Sequence, residues 1–79
     1  MKNQITLPAY LIDEANNFAQ DAATKFLESV DEDATLEVYD GECYVKSENP
    51  ISEYLIENVQ DVYDKNFVSK CKKLSKQIN

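Results

Sequence analysis

Apolar residues in the first part of the chain fall at Leu11, Ala15, Phe18, Ala19, Ala22, Phe26, Leu27 and Val30, the helical spacing that lays one buried stripe along an α-helix. Glu14, Asn17, Asp21 and Glu28 take the opposite face. Thr6 can cap such a helix and Pro8 suits its first turn. The pattern therefore predicts a helix over 7–30, ended by Asp31-Glu32-Asp33, with an extended N-terminus over 1–6. The stretch Asn3 to Leu7 is a candidate additional strand.

The period then changes from helical to alternating. Thr35-Leu36-Glu37-Val38-Tyr39 and Glu42-Cys43-Tyr44-Val45-Lys46 flank Asp40-Gly41, the turn dipeptide of a two-residue hairpin, whose central residues both need positive φ. This turn places Val38 opposite Cys43 and Leu36 opposite Val45, so the four apolar residues share one face, as a buried face demands. Glu37, Tyr39, Glu42, Tyr44 and Lys46 go to the outer face. Hairpin is thus expected over 35–46.

Asn49-Pro50 reads as an N-cap followed by proline in the first helical position. Ile51, Leu55, Val59, Val62, Phe67, Cys71, Leu74 and Ile78 then keep near-helical spacing. A second helix is expected over 50–75, with a basic C-terminal end and with Asp64-Lys65-Asn66 as a point where it can bend. Phe18, Phe26, Leu55 and Val59 are expected in the core. A lone hairpin is marginal in water and needs its apolar face covered. The fold class is accordingly α+β, helix–β-hairpin–helix (αββα), with two long helices packed on one face of a small antiparallel sheet. At 79 residues the chain holds one domain, 1–79.

Charge sharpens this picture. All 15 acidic residues lie between Asp13 and Asp64, where only Lys25 and Lys46 oppose them, while Lys65, Lys70, Lys72, Lys73 and Lys76 follow with no acid; the net charge is −7. Acids early and lysines late in the second helix suit its macrodipole. On that helix Glu53, Glu57, Asp61 and Asp64 form one carboxylate row, with neighbours about 5–6 Å apart along the axis, a spacing comparable to that of phosphates on a DNA strand. Like charges four residues apart destabilise a helix, so the row has a cost and is a candidate working surface. The bland reading, a solvated face, stands beside it.

Other chemistry finds little support. Without His, and with no nucleophile motif around Ser or Cys, the chain is not expected to be an enzyme. Cys43 and Cys71 are read as reduced, buried thiols, and no cofactor or structural metal is expected. Asp31, Asp33, Thr35 and Glu42 stand at the first, third, fifth and twelfth positions of an EF-hand loop, but its sixth-position glycine is Leu36 and the same residues read better as a hairpin. The absence of Arg removes the usual reader of phosphates and base edges, so direct nucleic-acid binding is not expected. No run of residues is long and apolar enough for a membrane span, and a cytoplasmic protein is expected.

The opening Lys2-Asn3-Gln4-Ile5-Thr6-Leu7-Pro8 resembles the strand and helix entry of ribbon-helix-helix DNA-binding proteins, which however break after a short first helix, whereas the stripe here runs on to Val30. In size and charge the chain is similar to phage-encoded DNA-mimic inhibitors of restriction, CRISPR or repair enzymes. That similarity implies a small acidic inhibitor or adaptor that engages the basic surface of a larger, nucleic-acid-binding protein; the exposed faces read from the spacing offer Glu53, Glu57, Asp61 and Asp64 together with Glu37, Tyr39, Glu42 and Tyr44 as the candidate contact residues. The alternative is a homo-oligomeric interaction module, a homodimer in the simplest case, held by the outer tyrosines and by ends of opposite charge.

Overall fold

The computed structural model describes residues 7–77. Within them the order is helix α1 (Ala9–Val30), strands β1 (Thr35–Tyr39) and β2 (Glu42–Lys46), and helix α2 (Glu53–Gln77), the helix–hairpin–helix α+β fold the pattern predicts. The extended segment 1–6, the Thr6 cap and Ile78 lie outside the described residues, as does the additional strand apart from Leu7, which is buried beside Ala15 and Leu74.

The hairpin has the expected register, with Tyr39 opposite Glu42, Val38 opposite Cys43 and Leu36 opposite Val45. Asp40 and Gly41 have φ of 50° and 79°, the left-handed pair a type I′ turn requires. Cys43 is buried, and Leu36, Val38 and Val45 pack against the same cluster.

The helices run antiparallel, as their contacts show: Leu27, late in α1, shares a cluster with Val59, early in α2, whereas Ala15 meets Leu74. The seam of α1 is Ala15, Ala19, Ala23 and Leu27, all fully buried. Three alanines one turn apart let α2 approach closely, and this geometry corrects two expectations. Ala23 rather than Ala22 is the fully buried position, and Phe18 is displaced to the flank, 42% exposed, where the Lys70 ammonium lies 5.1 Å from its ring centre. Val30 is exposed as well, while Phe26 and Leu55 are half-buried against the core and Val59 is fully enclosed.

Both helix starts shift towards the C-terminus. Pro8 serves as N-cap of α1, its carbonyl accepting from the Leu11 and Ile12 amides. Ser52, not Asn49, caps α2: its hydroxyl oxygen accepts the Leu55 N–H at 3.1 Å. Asn49 is drawn away because its side-chain amide donates to both Asp31 carboxylate oxygens at 3.3 Å. No break occurs at Asp64-Lys65-Asn66; the Asn66 side chain donates to the Val62 carbonyl one turn back, and α2 continues to Gln77.

The hairpin covers only part of the helix pair. One cluster joins Ala19, Ala23 and Leu27 to Cys43, Val59 and Tyr63 beneath the strands, and a second, Leu7, Ala15 and Leu74, is built by the chain entering α1 and the two helices alone. The Tyr63 ring stacks on Phe67 between these regions, with centroids 5.9 Å apart, and its hydroxyl donates to the Asn16 carboxamide oxygen across the helix pair. No helix among the described residues is long and apolar enough to cross a membrane.

Candidate functional site: two acidic surfaces

α2 leaves Glu53, Glu57, Asp61 and Asp64 exposed because its buried positions, Val59, Tyr63 and Leu74, lie on the other side of the helix. From Glu53 to Asp64 the row runs about 16 Å along the axis. Only two ion pairs exist among the described residues, Lys25 with Asp21 at 3.2 Å and Lys46 with Glu37 at 3.3 Å. No member of the row is in an ion pair, and Glu53 and Glu57 have no lysine one turn on, whereas Asp61 has the exposed Lys65 four residues later. Of the later lysines, Lys72 and Lys73 are exposed, and Lys70 lies over Phe18.

The second surface is the outer face of the hairpin. Tyr39 and Tyr44 are diagonal neighbours with ring centres 5.8 Å apart, 60% and 46% exposed. Each phenol donates to a carboxylate two residues away on its own strand, Tyr39 to Glu37 at 3.4 Å and Tyr44 to Glu42 at 2.8 Å. The hydrogen bond and charge of Glu42 push the Tyr44 hydroxyl above its ordinary pKa. What this face offers a partner is two aromatic rings edged by carboxylates, one of them shared with Lys46.

These eight residues form two surfaces, one on the sheet face turned away from the helices and one along the solvent side of α2. The hairpin is tied to Asp64 of the row through Gln60, a residue the sequence pattern does not single out. The Gln60 carboxamide accepts the Cys43 N–H at 2.8 Å, donates to the Gly41 carbonyl at 2.9 Å and donates to Asp64 at 3.0 Å. Burial and the nearby Asp64 charge raise the Cys43 thiol to about 11, so it stays protonated at neutral pH. Cys71 is also shifted up by burial, and both cysteines are free thiols.

Asp31 is a second unanticipated hub. Its carboxylate accepts from the Asp33 N–H, the Ser47 hydroxyl and the Asn49 amide, chiefly Ser47 and Asn49 holding it below the ordinary carboxylate range. It joins the end of α1 to the connection leaving β2. Thr35 and Glu42, read against an EF-hand loop, lie on the two paired strands; among the described residues no group of three or more acidic or thiol side chains is gathered as a metal site would require.

Comparison of the chain with protein-family models, with curated proteins and with solved structures yields no match to any of them.

Proposed function

We propose that the protein is an acidic binding module that engages a basic surface of a larger protein, one built to hold nucleic acid, in the manner of a DNA-mimic inhibitor or adaptor. The observation that carries this reading is the exposed α2 row, none of whose carboxylates is in an ion pair, arranged on one helix at a repeat that a phosphate-binding groove can meet. Exposed charges contribute little to stability, so the row can be tested without losing the fold. Replacing Glu53, Glu57 and Asp61 together by Lys should abolish salt-sensitive capture of partners from a lysate while circular dichroism stays unchanged. Undiminished capture by that variant would sink the reading.

A second reading, self-association, is favoured by the exposed Tyr39–Tyr44 pair and by the lysines that end α2. Under it, replacing Lys70, Lys72 and Lys73 by Gln should lower the weight-average mass in sedimentation. If the partner is a basic groove, that variant binds it as well as or better than the parent, since those lysines would only repel it.

A further inference from the structure

Where the hairpin turn overhangs the helix pair, a groove of about 480 Å³ opens to solvent. Its apolar lining is Ile12 from α1, Val38 from β1, and Phe67 beside the buried Tyr63 from α2. One carboxylate from each of three separate elements borders it: Asp13 of α1, Asp40 of the turn and Asp64 of α2. These three are brought to one groove by the fold, not by adjacency in the chain. None has a basic partner among the described residues. Asp64 holds a single hydrogen bond, from Gln60, and its charge is felt by Cys43 and Tyr63, both shifted upward in part by it.

We infer that this groove receives an arginine side chain presented by the basic partner protein. The inference rests on the acidic-surface reading above and names the contact within it. The lining matches the two halves of such a side chain: an aliphatic stem lies on apolar surface while its charged end reaches the rim. The guanidinium is the better match of the two cations, because it is weakly hydrated, stacks on aromatic rings and can donate to more than one carboxylate at once, whereas an ammonium holds its water. Charge complementarity identifies the occupant as cationic. A second copy of this chain cannot provide it, since the chain contains no arginine.

The experiment titrates isotope-labelled protein with N-acetyl-arginine amide and, in parallel, N-acetyl-lysine amide, following backbone amides by NMR. Saturable shifts confined to Asn16, Asp40, Gly41 and Asp64, several-fold weaker with the lysine compound, are expected. Asp13→Asn combined with Asp40→Asn should remove them; asparagine tolerates the left-handed conformation at position 40, so the rest of the spectrum should be unchanged. Equal response to the lysine compound, shifts spread along Glu53–Asp61, or shifts that persist in the double variant would overturn the inference. Charge reversal of the α2 row keeps the two readings apart. If that variant still captures partners while arginine saturates the groove, the row has failed and the groove stands; if capture is lost but arginine never saturates the parent protein, the groove has failed and the row stands.

Discussion

Gln60 does with one carboxamide what a neighbouring strand would do with a peptide group, accepting from Cys43 and donating to Gly41 along the outer edge of β2. Unpaired backbone groups at a sheet edge are a liability, and here a helix side chain covers them beside the turn. Gln60→Ala should lower stability by about 1–3 kcal/mol in urea denaturation, and Gln60→Glu should be at least as harmful, because it loses the donor and adds charge next to Asp64. The seam alanines make the opposite kind of prediction. Ala23 is fully buried between the helices, so Ala23→Leu should cost about 1–3 kcal/mol by overpacking, while Leu27→Ala should cost about 2–5 kcal/mol by leaving a cavity. Phe18→Ala, by contrast, should cost less than Leu27→Ala, since that ring stays partly exposed beside Lys70 whereas Leu27 is fully buried. Thermal melts of the three variants rank them directly.

Among the elements, the hairpin was the most legible in the sequence, because Asp40-Gly41 and the alternation on either side allow only one register that buries Leu36, Val38, Cys43 and Val45 together. Gly41→Val tests it: a Cβ there meets nothing within 4 Å, so the loss comes chiefly from the backbone at φ 79°, on the order of 1 kcal/mol or more. Helix identities were equally legible from their stripes, but not their starts. Asn49-Pro50 is a sound local signal, yet Asn49 is taken by Asp31, which lies 18 residues earlier in the chain, and Ser52 becomes the cap. Ser52→Ala should therefore destabilise by about 1 kcal/mol. The displacement of Phe18 from the core was hidden for a related reason, since a stripe gives a helix's buried side but not how closely the partner helix approaches. The exposed acidic row was legible from spacing alone. The groove at the turn was not, because Asp13, Asp40 and Asp64 border one opening only once three elements are assembled.

At the scale of the molecule, acid should act on stability through Asp31. Its pKa in the folded state is lowered by Ser47 and Asn49, so the stability it confers is present above the ordinary carboxylate range and is lost as pH falls through the lowered value. Asp31→Asn should flatten the acid limb of a stability–pH profile, and an unchanged limb would show that other carboxylates dominate it. Base acts through Cys43, alongside Tyr63 and Cys71, which burial raises in the same direction. With its thiol raised to about 11, the stability is full below the ordinary thiol range and is lost as pH rises through the folded value. The molecule, 45 × 22 × 18 Å in extent, is longer than its hairpin can cover, and this asymmetry has a kinetic consequence. Amides at the two-helix end, around residues 9–16 and 70–77, should open by local fraying, whereas those of 19–27 and 55–63, clamped by the strands, should exchange only when the whole chain unfolds. Hydrogen–deuterium exchange should resolve two protection levels along each continuous helix, and a single uniform level would mean that the seam of alanines couples the ends as tightly as the hairpin does. A partner that closed over the open end would then be detected as slowed exchange there, before its identity was known.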